Sequence, residues 1–307
     1  MWPTFARVQC RGYNRSMDNF TIGVIGQGWI GKNYADDFEK RGYRVVRYAL
    51  EPAYAAYKDA IAQCDVVLIA VPTPTTPAGF DDSIVRAVVA HVGVGKIAVL
   101  KSTLLPGSTE SIQKQYPDRI IMHSPEFLRE ANAAYDAAHP ERNIIGVPEK
   151  SPKYADAARM VLAVLPHAPY ELVCSAREAE YIKYAGNSFL YLKVMFANLM
   201  HDVVAADGCD WESVRAALGA DSRIGASHLK VTHESRPGVT PGRGAGGHCF
   251  IKDFAALREL YERLLPNDMT GAAVFRANEA KNIQLLKSSG KDIDLLRGVY
   301  GDAAVDS

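Results

Sequence analysis

Over its first half the chain alternates short apolar runs with amphipathic stretches. Apolar runs at 20–25, 43–50, 65–72, 96–103, 119–124, 143–148 and 170–174 have the length and β-branched content of strands. Between them, 32–42, 53–63, 81–92, 109–116 and 151–165 show helical spacing of apolar residues. Strands separated by helices predict an α/β fold, a mostly parallel, doubly wound sheet with helices on both faces. At 176 the period changes. Residues 176–208 can run as one helix of about thirty residues, roughly 45 Å long at 1.5 Å per residue. Its apolar residues (Phe189, Leu190, Val194, Phe196, Leu199, Val203) are spread widely, so cover on more than one face is expected. A helix at 211–219 with Asp210 as its cap follows, and then another over 250–264. The pattern predicts an α/β domain over 20–174 and a mostly helical central domain over 175–290, with the long helix connecting them. Residues 1–19 read as a flexible leader and 291–307 as a weakly strand-like tail.

Composition excludes classes rather than choosing one. The 307 residues are 48% hydrophobic and 23% charged, as in ordinary globular proteins. Thirty-five basic residues balance 35 acidic ones, which argues against a broad nucleic-acid surface. The longest strongly apolar run is VVLIAV at 66–71, so no membrane partner is expected. Five scattered cysteines (10, 64, 174, 209, 249) show no metal-ligand spacing and no disulfide framework. A reducing cytoplasm suits them. Arg7, Arg11 and Arg15 precede Met17 in a segment too short and serine-poor to read as a targeting sequence.

Candidate chemistry begins with glycine. GQGWIG at 26–31 follows the first strand and opens the first helix, the context that G-x-G-x-x-G requires. Gly26, Gly28 and Gly31 allow a tight turn and close approach of a pyrophosphate, with Trp29 and Ile30 starting the helix. The helix N-terminus adds free N–H groups. The reading is a Rossmann-type domain that binds NAD. The second strand ends at Ala49, where an acid for the ribose is expected; Glu51, two residues on, is the candidate, or else a solvated acid at a helix start. No Arg follows that strand at once, so NADP is not favoured.

Ligands of such sheets lie at the carboxyl ends of strands. Pro72 and Thr73 in VPTPTT read as a wall along the nicotinamide, or as a rigid turn. In KSTLLPGST, Thr103 is placed to bind a reacting group or an ordered water, while Ser108 or Thr109 reads as a helix cap. In SPEFLREA, Pro125 reads as a helix start, with Glu126 and Glu130 sharing one face and one of them available as a general base. Lys183 and Asn187, four apart on the long helix, suit a substrate oxygen; the alternative is an exposed lysine. GRGAGGHCFIKD at 242–253 sets four glycines before Cys249 at a helix start. That thiol is either an activated nucleophile or a small buried hydrophobe. Arg223, Lys230 and Arg243 nearby suggest an anionic substrate.

GVIGQGWIG, VVLIAVPTPT, KSTLLPGST, SPEFLREA, EAEYIKYAGNSFLYLKVMFANLM, DSRIG and GRGAGGHCFIKD follow one another between about 21 and 253. In that order they resemble the nucleotide-sugar dehydrogenases of the UDP-glucose/GDP-mannose 6-dehydrogenase family. The resemblance implies a four-electron oxidation of a sugar C6 alcohol to a carboxylate with two NAD per substrate, UDP-glucose foremost. It implies that Cys249 captures the aldehyde, that Glu126 is the base, and that Lys183 and Asn187 hold the substrate oxygen. Asp253 and Thr103 match groups that order Lys183 and a water. NAD would contact Gly26, Gly28, Trp29, Ile30, Gly31, Glu51, Pro72, Thr73, Thr103 and Glu130. The sugar nucleotide would meet Phe127, Leu128, Arg129, Glu130, Arg223 and Gly246 besides Lys183 and Asn187. A homodimer through 176–206 is implied as well.

The chain departs from the family at Ala49, where Asp is usual, and at Ile251, where FIKD replaces FPKD. The helix at 52–63 is shorter than is typical, and 225–243 has its own sequence. Full-length members carry a third αβ domain after the thiol helix, and 254–307 shows no second nucleotide fold, so the chain reads as a short form. Two other readings compete: a two-electron β-hydroxyacid-type dehydrogenase, which needs no thiol, and an NAD-fold binding protein without turnover.

Overall fold

The structure, a computed structural model, describes residues 20–306; the leader expected over 1–19 lies outside them. The chain divides into two compact units. One takes in residues up to Thr73 and Asp81–Lys183, the other Pro74–Phe80 and the chain from Tyr184 on.

The first unit is built on a seven-stranded sheet. Strand β1 (Thr21–Ile25) lies between β2 (Arg44–Tyr48) and β3 (Val66–Ile69), parallel to both. Helix α1 (Trp29–Lys40) makes the β1–β2 crossover. After β3 the chain leaves to form a hairpin, β4 (Thr75–Thr76) and β5 (Gly79–Phe80), in the second unit. It returns through α3 (Ser83–Val89) to β6 (Ile97–Leu100), α4 (Ser108–Gln115) and β7 (Ile120–His123). Helix α5 (Ala133–Ala138), β8 (Arg142–Val147), α6 (Pro152–Val164) and β9 (Tyr170–Ser175) complete the unit. The strand order is β2-β1-β3-β6-β7-β8-β9. It is parallel throughout except for β7–β8, which meet antiparallel at His123 and Gly146. Ile22, Val24, Phe38, Leu68, Val99, Met122, Ile145 and Val161 form its core.

Two expectations in this half are corrected. Residues 53–63 are not one helix. A four-residue α2 (Pro52–Ala55) is followed by a turn and a 3₁₀ segment, Asp59–Gln63, of which only Ile61 is buried. With so little apolar surface to dock, nothing offsets the cost of helix nucleation. Residues 125–129 are also not helical. A 3₁₀ turn begins only at Glu130, so Glu126 and Glu130 do not share a helical face. Glu126 is drawn inward by Lys183, and the backbone N–H of Arg129 is bound by Asp136 rather than by a helical carbonyl.

The boundary between the units falls within the 31-residue helix α7 (Ala176–Ala206). In the second unit α7 is followed by α8 (Trp211–Ala220), whose N-cap Asp210 accepts from the N–H groups of Glu212 and Ser213. A long loop leads to α9 (Gly247–Leu264), and α10 (Met269–Ser289) packs beside it. Tyr191 of α7 stacks on Phe254 of α9, with centroids 3.9 Å apart, and Val194, Met195, Ala245 and Leu285 close around them. The strand-like tail is corrected too. Residues beyond 290 form α11 (Ile293–Tyr300) and α12 (Ala303–Asp306). Leu296 of α11 is buried against Ile251 and Leu286, so α11 is part of this unit's core. The β4–β5 hairpin packs on α9 and α11.

Candidate active site

In the first unit the glycines of GQGWIG behave as the spacing requires. Gly26 has φ +91, and a Cβ on it would stand 2.3 Å from the Ala70 carbonyl oxygen. A Cβ on Gly31 would stand 1.9 Å from the Gly26 carbonyl, so helix and turn pack as closely as a bare backbone allows. Gly28 is different. It is the N-cap of α1, exposed, with no capping side chain and nothing within 4 Å of where a Cβ would be. That leaves the first-turn N–H groups of α1 facing open space that a side chain would fill, the cradle an NAD pyrophosphate needs. Trp29 and Ile30 are half-buried, Ile30 against the sheet core.

Ala49 is buried and cannot reach a ribose hydroxyl; Glu51 is exposed as the N-cap of α2, without a side-chain capping bond. Pro72 is exposed. Thr73 is buried and donates to the Thr103 carbonyl at 2.8 Å. Ser102 stitches the β3 and β6 ends together: its hydroxyl accepts from Val71 N–H and donates to the Val71 carbonyl. Thr103 itself is half-buried.

The SPEFLREA segment supplies one charged centre. Glu126 is 3% exposed. Its Oε1 is 2.9 Å from Lys183 Nζ, which also donates to the Glu126 carbonyl at 2.7 Å, and its Oε2 accepts from Leu128 N–H. Removing either partner of such a buried pair leaves the other charge uncompensated. Phe127 lies under the Arg142 guanidinium, 3.8 Å from the ring centroid. Leu128 packs on the core. Arg129 is paired with Asp136, and Glu130 is exposed.

Behind Glu126 is a buried polar cluster that the sequence did not reveal. Lys101 Nζ donates to Ser124 Oγ at 2.9 Å and lies 4.6 Å from the Tyr34 ring centroid. Burial pushes the Lys101 ammonium down to about 8, with Glu126 opposing. Burial, helped by Lys101 and Lys183, pushes the neighbouring His123 down to about 3. The Tyr34 hydroxyl is held far above its ordinary value, by burial and then by Glu126. A lysine in KSTLLPGST is visible as a letter; its burial is not.

In the second unit the thiol stretch forms the start of α9. Gly246 is the N-cap and Gly247, at φ +83, the first helical residue; Cys249 is half-buried in the first turn. Four residues on, Asp253 is almost fully buried, its carboxylate bound by the Asn187 amide at 2.6 Å and by Lys252. Ile251 fills the core, which accounts for a large apolar residue there. Of the three cations expected to favour an anionic substrate, Lys230 is exposed and the other two have partners within this unit. Arg243 is committed to Asn198 and Asp202 of α7, and exposed Arg223 to Asp221. Three supports of the glycine turn were also missed: Asn282, Lys291 and Asp292. Only Gly290 hinted at them, as the left-handed cap that ends α10.

Residues 50–163 match the model of the UDP-glucose/GDP-mannose dehydrogenase family, NAD binding domain, and 177–280 that of the family's central domain. Putative UDP-glucose 6-dehydrogenase YtcA of Bacillus subtilis is 36% identical over 215 residues, 66% of this chain and 47% of that protein. UDP-glucose 6-dehydrogenase YwqF of the same organism is 30% identical over 258 residues, 80% and 55%. The chain thus spans about half the length of these curated relatives. A UDP-glucose dehydrogenase from Pyrobaculum islandicum superposes with TM-score 0.72 at 28% identity, covering 90% of this chain and 73% of that one. The cradle at Gly28 and the matched domain agree on NAD as the cofactor. Two domain models of one family, matched in order over residues 50–163 and 177–280, show that the chain belongs to the UDP-glucose/GDP-mannose dehydrogenase family.

Proposed function

We propose that the chain carries out an NAD-dependent four-electron oxidation of a nucleotide sugar, UDP-glucose to UDP-glucuronate. The observation that carries this reading is the place of Cys249: in the first turn of α9, half-buried, just after a glycine turn, with Asp253 one turn on and tied to Asn187. A two-electron dehydrogenase has no use for that thiol. NAD would be held at the Gly26–Gly31 turn, with Glu51, Pro72, Thr73, Thr103 and Glu130 as further contacts, and would supply the hydride acceptor for both oxidations at the sugar C6 carbon.

The Cys249 thiolate adds to the aldehyde carbon; a C–S bond forms and the carbonyl oxygen takes up one proton, offsetting the one released when the alcohol was oxidised. The Asn187 amide, oriented by Asp253, binds that oxygen. In the first unit the Lys183 ammonium offsets charge developing on it. Glu126 accepts the hydroxyl proton as the Cys249 thiohemiacetal is oxidised to the thioester. After releasing that proton to solvent, Glu126 takes one from the attacking water; the C–S bond breaks, the thiolate is restored, and the product acid loses its own proton to leave the carboxylate. Thr103 holds that water. Phe127, Leu128, Arg129, Glu130, Arg223 and Gly246 are the proposed substrate contacts. A thiolate nucleophile suits a reducing cytoplasm.

The partner we propose is a second copy. Phe189, Leu192, Phe196, Leu199 and Val203 are exposed on α7 and repeat at alternating spacings of three and four, the seam of a helix-to-helix contact. By length and composition α7 also passes as a membrane span, with mean hydropathy 1.3 over 18 residues. Lys193, Asn198, His201 and Asp202 within it favour a protein partner.

The test is to mix the purified chain with NAD and UDP-glucose and follow NADH. Two NADH per sugar, with Cys249→Ser stopping turnover, is expected. One NADH per substrate and indifference to Cys249→Ala would overturn the reading in favour of the two-electron alternative.

A further inference from the structure

The turn that carries the thiol is clamped from the junction of α10 and α11. Lys291 is 1% exposed. Its Nζ donates to the carbonyl of Gly244 at 3.0 Å and of Gly242 at 3.3 Å, and lies 3.2 Å from His233 Nε2. The next residue, Asp292, has φ +53, a left-handed conformation uncommon outside glycine. That conformation accompanies a carboxylate with two partners: Oδ2 accepts from Gly247 N–H at 2.8 Å and Oδ1 from Ser235 Oγ at 2.9 Å. Asn282 adds two bonds to Ala245, and Ser289 Oγ accepts from Arg243 N–H.

The glycines are fitted to this junction. A Cβ on Gly242 would stand 2.7 Å from Ser289 Oγ and 2.8 Å from Lys291 Cβ; one on Gly246 would stand 2.1 Å from Asp292 Oδ2. So the glycine run here makes room for a clamp, besides any room it makes for a substrate. Gly247 N–H is the first amide of α9, and Cys249 follows two residues later, roughly 3 Å along the axis. A group that fixes the Gly247 amide therefore fixes the turn that presents the thiol. A buried ammonium and carboxylate are costly, and a charge-assisted hold on a bare backbone is what they provide here.

We propose that Lys291 and Asp292 are positioning residues for Cys249: they hold the 242–247 turn and so set the first turn of α9 under the thiol. This rests on Cys249 as the nucleophile, so the test reads the thiol directly. Iodoacetamide modification of Cys249 is followed by peptide mass spectrometry on the full chain without cofactor or substrate, beside kcat and KM. Asp292→Ala and Lys291→Met are expected to slow Cys249 alkylation about tenfold and lower kcat by at least as much, with KM for NAD unchanged, because a loosened helix start stabilises and aims the thiolate less well. Asp292→Asn keeps an acceptor for Gly247 N–H and is expected to restore both rates to within about twofold. Should Asp292→Ala fail to fold, Ser235→Ala, which removes one of the two Asp292 partners, gives the same comparison with a smaller, about threefold effect. Alkylation at the unmodified chain's rate in these variants, or an Asn variant as slow as Ala, overturns the proposal. Clamp-dependent alkylation in a chain that oxidises no nucleotide sugar supports the clamp and sinks the proposed activity instead.

Discussion

His123 ends β7 with no exposed surface, and neither ring nitrogen makes a hydrogen bond of ordinary geometry. Burial, then Lys101 and Lys183, push it from 6.5 down to about 3. The folded chain therefore keeps a neutral imidazole where the unfolded chain takes up a proton. The sign follows from linkage: as pH falls below 6.5 the unfolded state binds the extra proton, and stability is lost down to about pH 3. The loss attributable to this residue approaches about 1.4 kcal/mol per pH unit. Urea denaturation of the unmodified chain and His123→Leu between pH 7 and 4 should show the variant gaining relative stability as the pH falls; parallel curves would refute this. Nothing in the sequence announced it. RIIMHS reads as a strand whoever occupies position 123, and only the three-dimensional company of Lys101 and Lys183 makes the histidine unusual. Lys183 and Asn187 stood out because a lysine and an amide are uncommon on the buried face of a long apolar helix.

At the level of elements, helix α4 shows how a local signal loses to a distant one. Ser108 and Thr109 read as cap residues, yet the N-cap is Gly107 at φ +98, with no capping side chain of its own. The cap arrives from α7: Glu180 accepts from the N–H groups of Gly107 and Thr109 and from Thr109 Oγ1, at 2.6–2.8 Å. Burial pushes its carboxyl up to about 7 against the pull of those bonds. Glu180→Ala should cost about 1–3 kcal/mol by orphaning the buried Thr109 amide and the half-buried Gly107 amide. Thr109→Val should cost about 1 kcal/mol, the size of one hydrogen bond. Because the two share a bond, the double variant should lose less than the sum; strict additivity in thermal denaturation would show that Glu180 does not act through this cap. SPEFLREA failed for the same reason. Proline followed by acids is a sound helix start, but an ion pair across 57 residues of sequence outweighs it. Long periodic elements such as α7 and α9 were legible, since their own length outvotes any one contact.

For the whole molecule, the α7 stripe is the surface that the proposed second copy would cover. Phe189 is 68% exposed and Phe196 53%, and aligned exposed apolar residues of this kind are the mark of an interaction face. Phe189→Glu with Phe196→Glu should convert a dimer to a monomer in sedimentation velocity without changing the circular dichroism; an unmodified chain that is monomeric at tens of micromolar would remove the argument. The β4–β5 hairpin has a different consequence, one for the order of synthesis. Residues 74–80 are made early but belong to the second unit, where Pro77 lies beside Gly301. Roughly 220 residues separate the two, about 10–45 s of translation at roughly 5–20 residues per second. Once β9 is made, the first unit can close its sheet, while the hairpin loop still waits for its neighbours in the second unit. The second unit is therefore finished only when the chain nears residue 300, so a nascent chain stalled before α11 would leave that loop open to proteases and chaperones.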